Sequence, residues 1–491
     1  MFKIKSIIVK NSIFSIFQII LSTLCYVVIY YQILHNLGKT ELGVWSIITS
    51  LPIAISVFGS GVSGCVLRYT PIYSVKNDKE SFSGIIFNGL IFNILFGGFL
   101  VICGYIFSYK ILQLLFNVNT IDLRYVTLFR ISLLTFFVNF ITSVLLSAID
   151  GLQLIFVRNK IIIFCSIVFC FAAVFLVRIL GLKGILLAQF IQSVLLFLCA
   201  FVIIKKIDLF DFDFMNYNKS FIKLFLTYGQ GFQAISLSIL IFDPITKYFL
   251  NKYFNLSTVG IYDLVSRAVT QIRVLIVSAV QVITPSVSKS SEENNLDVGG
   301  MFAKINRGAS LLSFLLFSSL ICFSSVLVNY LDKTNGSQYL SILVLLCLSY
   351  HCNIIASGAY SILMGLGKLK NIIISHILSS FINIALFYLV GKFLVNEFVV
   401  LPISFAIIIS SEFLIYKFKK EFNLKNSAIN KSDFILKLFS SLSIVLSIML
   451  VWLKFDLYAG ILLLIIHCLV LGYLVFKNDF FGAIINKVLN K

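Results

Sequence analysis

Charge is scarce in this chain, and so are the residues that break helices. Only 12% of its 491 residues are Asp, Glu, Lys or Arg, and it holds five prolines and four histidines. Soluble domains carry about 25% charged residues, so this composition leaves no room for one. There is no GxxxxGK[ST] loop, which excludes nucleotide hydrolysis by a P-loop. His, Cys and carboxylates are nowhere clustered at metal-ligand spacing, and the scattered serines offer no nucleophile–base pair. No cofactor, metal or enzymatic reaction is expected. The ten cysteines all lie in apolar segments without CxxC spacing and read as small buried hydrophobes.

What fills the chain is hydrocarbon. Hydrophobic residues make up 59% and mean hydropathy is +1.03. Apolar runs long enough to cross roughly 30 Å of bilayer recur from 8–34 to 457–476. The first, Ile7 to Leu34, is too long for a signal-peptide core and no small-residue cleavage site follows, so it is kept as a span. The expected fold is an all-α polytopic membrane protein of about fourteen transmembrane helices. The net charge of +19 does not point to nucleic acid, because Lys and Arg sit in short loops between spans. With the N-terminus inside, 26 of the 39 fall in inner segments and 10 near outer ends, which places both termini in the cytoplasm. The two longest polar connections, 205–223 and 417–434, divide the chain into six-helix halves at 1–204 and 224–416 and a final pair of spans within 435–491.

Internal repetition supports that division. Thr40-Glu41-Leu42-Gly43-Val44-Trp45 opens the second span and Ser257-Thr258-Val259-Gly260-Ile261-Tyr262 the eighth, at an offset of 217 residues. A weaker echo pairs Gly151-Leu152 with Gly365-Leu366. Six spans apart, the halves keep one orientation and are expected to be related by an axis along the membrane normal, with the working site between them.

The polar residues inside spans carry the functional reading. Asp243, Lys247, Asp263, Arg267 and Arg273 fall in the runs 224–250 and 259–284. Each such charge at mid-bilayer costs roughly 2.5–3.5 kcal/mol, so five facing lipid would forfeit about 10 kcal/mol or more. Asp243 with Lys247 and Asp263 with Arg267 are each one helical turn apart and share a face. These are either structural ion pairs or the lining of a cavity. Arg267, Gln271, Ser278 and Gln281 continue a polar stripe, while Arg273 lies about 120° round the helix with no acid at helical spacing. An unpaired arginine in a membrane calls for an anion. The first span has a stripe of its own: Asn11, Ser15, Gln18, Ser22, Tyr26 and Tyr30. The second carries Pro52 and a glycine-rich run from Phe58 to Gly64, suited to close packing or to a hinge. Arg130, six residues into the fourth span, is either a snorkelling side chain or a cavity cation. His351 reads as a hydrogen-bonded core histidine or as a protonation switch.

Three stretches carry a family resemblance: Asn36-Leu37-Gly38-Lys39-Thr40-Glu41-Leu42-Gly43-Val44-Trp45-Ser46, Phe58-Gly59-Ser60-Gly61 and Leu67-Arg68-Tyr69. They resemble the opening of Wzx-type polysaccharide-biosynthesis flippases, in the multidrug, oligosaccharidyl-lipid and polysaccharide exporter superfamily. Val259-Gly260-Ile261-Tyr262 and Ile283-Thr284-Pro285-Ser286 are similar to the matching points of the family's second half. The resemblance covers residues 1 to about 416 and rests on the order of short motifs.

It implies two pseudo-symmetric, MATE-like six-helix halves alternating between inward and outward openings in the bacterial inner membrane. The implied substrate is an undecaprenyl-diphosphate-linked oligosaccharide, the repeat unit of an O-antigen (lipopolysaccharide) or capsule. The implied partners are a coupling ion, proton or sodium, and a polysaccharide polymerase with its chain-length regulator. On that reading Arg267, Arg273, Gln271, Lys247 and Arg130 hold the diphosphate and sugar, and Asp243, Asp263 and His351 balance charge or couple an ion. The lipid II flippases among these relatives carry an Arg-Asp pair in the first helix, whereas this chain has no charge between Lys10 and His35. A drug exporter of the same fold and an O-antigen polymerase are the rival readings. The longest external connection, about a dozen residues, is short for a polymerase.

Overall fold

The structure is a computed structural model, and it describes residues 2–207, 220–221, 224–225, 242–281, 297–322, 324, 336–366 and 368–424. The expected spans at 435–453 and 457–476 and most of both linkers lie outside the described residues. So do the Ile283-to-Ser286 motif and most of the seventh span. Among the described residues the secondary structure is helical, with fourteen α-helices and no strand. Eight of these helices are long and apolar enough to cross a membrane. Their outward faces carry large exposed apolar side chains such as Leu95, Phe99, Phe171 and Phe175, each more than 60% exposed, the surface that lipid rather than water would cover.

The first half follows the hydropathy closely. α1 (Phe2–Asn36) leads through Gly38, at φ +87°, into α2 (Lys39–Ser56). A 3-10 turn, Val57–Gly59, separates α2 from α3 (Ser60–Val75), so the single run 42–67 is two helices. Pro52 inside α2 has no N–H to give the carbonyl of Ile48. The Ser132 hydroxyl lies 3.3 Å from that carbonyl, shared with the carbonyl of Phe129 at 2.7 Å. α4 (Lys79–Ile106) starts at Asp78, whose side chain accepts from the Ser81 N–H at 3.0 Å. Hydrogen bonds from the Ser81 backbone and hydroxyl hold the Asp78 carboxyl below the usual range.

α5 (Ser108–Phe116) lies in the connection expected to be a plain loop, and ends on Asn117 in the left-handed conformation, φ +54°. It is amphipathic rather than uniformly apolar, so a search for spans passes over it. α6 (Leu123–Gly151), α7 (Ile155–Leu180) and α8 (Leu182–Lys205) complete this half, the last two joined by Gly181 alone. The core here is Val62, Val66, Phe82, Ile86, Val144 and Ile149, from α3, α4 and α6.

In the second half the described helices are α9 (Phe242–Tyr253), α10 (Leu256–Gln281), α11 (Val298–Cys322), α12 (Gly336–Gly365), α13 (Lys370–Val390) and α14 (Leu401–Glu421). α13 stops at Val390, before its apolar run ends, because Gly391 and Lys392 form a turn. By contacts the chain forms two compact units, Met1–Leu264 with Ile384–Lys392, and Val265–Asn383 with Phe393–Lys491. The first unit extends beyond 204 because α9, the start of α10 and the end of α13 pack with N-terminal helices. Asn251 of α9 donates to the carbonyls of Phe116 and Leu115 at the end of α5, at 2.7 and 3.3 Å. Phe249 stacks on Phe387 with ring centroids 5.3 Å apart.

Candidate functional site

The first unit brings together two of the repeated glycines. A Cβ on Gly43 would overlap the carbonyl oxygen of Leu256, at the start of α10. One on Gly260 would stand 2.6 Å from the carbonyl oxygen of Lys39, at the start of α2, and 2.9 Å from the amide nitrogen of Gly43. Each motif thus packs its glycine on the backbone of the other, the reciprocity expected of elements related by a two-fold axis. Gly43→Val is expected to force α2 and α10 apart, costing about 1–3 kcal/mol or more because the neighbour is backbone. A lower thermal unfolding midpoint, with new labelling of cysteines placed at positions 39 and 256, would register it.

A buried ion network stands beside this junction. The Lys247 ammonium lies 2.9 Å from Asp243, one turn earlier on α9, and 2.9 Å from Oδ1 of Asp263 on α10. The Lys247 and Asp263 side chains are only 4% and 3% exposed, Asp243 about half. Tyr30 of α1 donates its hydroxyl proton to Oδ2 of Asp263, and its ring packs edge-on against Trp45 at 5.2 Å. The Asp243–Lys247 pair is legible from spacing. Spacing also sets Asp263 beside Arg267, but it carries no sign of Lys247 and Tyr30, which arrive from two other helices. Lys247 is therefore held by carboxylates in this structure, its charge turned inward.

The polar stripe of α1 is largely consumed by α7. Asn159 donates to Ser15 at 2.8 Å, Gln18 donates to Ser22 at 3.2 Å, and the hydroxyls of Ser22 and Ser166 lie 3.3 Å apart. Arg130 of α6 stacks its guanidinium 4.0 Å from the Tyr105 ring centroid, and its Nε donates to Ser108 at 3.3 Å. It thus lies at the α4–α5 turn, near the end of the bundle, where a snorkelling arginine belongs.

The second unit holds the other arginines. Arg273 of α10 is half-buried and donates from Nε to Oδ1 of Asn353 on α12 at 2.6 Å. Asn353 in turn donates to Ser411 of α14 at 3.2 Å. The Tyr350 ring lies 5.8 Å from the guanidinium carbon. Of the five N–H donors an arginine presents in a fixed fork, one is committed to this chain of amide and hydroxyl, and no carboxylate pairs with it among the described residues. Arg267 and Gln271 are half-buried on the same helix, and the Gln271 amide makes no hydrogen bond among the described residues. His351 of α12 is fully buried with Nδ1 2.8 Å from the Ser313 hydroxyl. Asn353 is the partner that sequence reasoning missed as such. It stands out only as a polar residue in the tenth span, 80 positions from Arg273.

No family model and no curated protein matches the chain. Solved structures do. The lipid II flippase MurJ in an inward closed conformation superposes with a TM-score of 0.71 at 18% identity, over 98% of this chain and 99% of that one. An inward-facing MATE-family multidrug resistance transporter of the MOP superfamily gives 0.68 at 13% identity, over 81% and 94%. A MOP superfamily transporter from Pyrococcus furiosus gives 0.65 at 13% identity, over 85% and 96%. Identities this low establish architecture and nothing finer. The chain is a multi-pass, all-helical membrane protein with the fold of the MOP-superfamily flippases and transporters.

Proposed function

We propose that the protein is a flippase that carries a polyprenyl-diphosphate-linked oligosaccharide from the inner to the outer leaflet of the bacterial inner membrane. The repeat unit of an O-antigen or capsule is the substrate class. The observation that carries this reading is Arg273: a cation within an apolar helix, aimed by Asn353, whose remaining donors have no acid to satisfy them among the described residues. A diphosphate is the matching ligand, because the guanidinium fork meets phosphoryl oxygens two at a time. Arg267 joins it on the same helix, and both termini lie in the cytoplasm. The headgroup passes through the protein while the polyprenyl tail stays in lipid. Outward movement of an anion is favoured by an inside-negative potential, by roughly 2.3 kcal/mol per charge per 100 mV, so no nucleotide is needed for the step.

The test is a strain deleted for this chain, with surface polysaccharide measured and lipid-linked intermediates sorted by leaflet. Complete repeat units trapped facing the cytoplasm, and released by the restored gene, are the expected result. Normal surface polysaccharide would reject the reading and favour drug export. Single units collecting on the outer face would point to a polymerase.

A further inference from the structure

The described residues of the first unit line a half-open cavity of about 210 Å³ between α1, α2, α6 and α8. Its wall is mostly apolar, with neutral polar groups set into it and no charge. Thr49, Ser132, Thr135 and Ser193 supply hydroxyls, and no Asp, Glu, Lys, Arg or His lines it. Thr49 donates to the Trp45 carbonyl at 2.8 Å, Thr135 to Ile131 at 3.1 Å and Ser193 to Gln189 at 2.9 Å. Their protons are committed to their own helices, so toward the cavity these oxygens act as acceptors. The donors come from Asn139, Gln189 and Gln192, whose side-chain amides make no hydrogen bond among the described residues. Tyr26 and Phe136 add two aromatic rings to the wall.

Three idle amides beside fixed acceptors make a surface for a ligand that both gives and takes hydrogen bonds and carries no charge. A phosphate would find no cation in this wall and an organic cation no carboxylate. A volume below the roughly 300–1,000 Å³ of pockets for drug-sized ligands suits a single ring. We infer that this cavity is a sugar-binding site, in which Gln189, Gln192 and Asn139 hydrogen-bond the hydroxyls of one pyranose of the lipid-linked substrate. This rests on the flippase reading and adds to it a place where the saccharide, rather than its diphosphate, is recognised. Pro52 lines the same cavity, so the missing N–H that frees the Ile48 carbonyl sits in its wall.

The experiment uses the full chain in lipid nanodiscs. Its probes are undecaprenyl diphosphate bare, or carrying a single glucose, galactose or N-acetylglucosamine. At least one sugar-bearing lipid is expected to bind tenfold or more tightly than the bare one. Gln189→Leu with Gln192→Leu is expected to erase that gain while keeping the bare-lipid affinity, which also reports that the variant is folded. Asn139→Leu, a milder change, is expected to reduce the gain. No gain for any of the three sugars, or a gain that survives the double substitution, overturns the assignment and leaves a water-filled recess. Displacement of tetraphenylphosphonium from wild type but not from the double variant would overturn it in favour of a drug site. Failure of the wild type to bind even the bare lipid would instead sink the flippase reading, so the two can fail separately.

Discussion

Arg273→Gln is expected to lower delivery of lipid-linked saccharide to the outer leaflet by about 10- to 100-fold, with little change in thermal unfolding. A hydrogen bond to a charged group contributes about 1.5–3 kcal/mol, and that is the interaction removed. Stability should hold because Arg273 is half-buried, and its one hydrogen bond among the described residues is to the neutral Asn353, so no buried counter-charge is stranded. Lysine at the same position keeps the charge but loses the fork. Arg273→Lys should therefore recover only part of the activity. Asn353→Leu supplies the control for aim: the charge stays, but Nε loses its acceptor at 2.6 Å, and transport should fall while the potential dependence persists. Measuring flip of the lipid-linked substrate in proteoliposomes, with and without an imposed potential, separates these cases. Unaltered transport by Arg273→Gln together with Arg267→Gln would remove both arginines from the site.

Lys247→Met carries the largest expected cost in stability, about 3–5 kcal/mol, because it removes the ammonium that lies 2.9 Å from the buried Asp263 carboxylate. Asp263 would keep the Tyr30 hydroxyl on Oδ2, which is neutral and does not replace the lost ammonium. The double change Lys247→Met with Asp263→Asn should regain most of the loss, since a buried pair replaced by neutral groups is often no less stable than the pair. Asp263→Asn alone should be milder, because Lys247 still has Asp243 at 2.9 Å. A double-mutant cycle on unfolding in detergent isolates the coupling, and a coupling near zero would contradict the network. The network also joins α1, α9 and α10 beside the paired glycines Gly43 and Gly260. Variants that weaken it should therefore raise labelling at the α2–α10 junction.

Much of this architecture is written in local pattern. Hydropathy sets where most of the long helices lie, because a backbone in hydrocarbon must satisfy its own hydrogen bonds and the helix does so within one segment. The boundaries Ile155–Leu180 and Leu182–Lys205 fall within a few residues of their apolar runs for that reason. The Asp243–Lys247 pair follows from helical spacing. The repeated Gly43 and Gly260 announce themselves as matching sites. The break at Val57–Gly59 sits where Pro52 and a run of glycines make a continuous helix weakest.

What the chain's pattern does not contain is the identity of the facing helix. Tyr30 and Asp263 are 233 residues apart, Arg273 and Asn353 are 80 apart, and the amides of α8 meet the hydroxyls of α2 and α6 only in the folded unit. Periodicity tells which side of a helix is polar, and the same stripe serves equally for a neighbour, a cavity or an ion pair. Thus the α1 stripe, uniform in sequence, is divided by packing between α7, the cavity and Asp263. The sequence by itself determined the number of charges that must be hidden and the helices that carry them. The tertiary structure decided which are neutralised in place, as Lys247 is, and which keep donors to offer, as Arg273 does, because neutralisation depends on distances of about 3 Å between segments that no local spacing encodes.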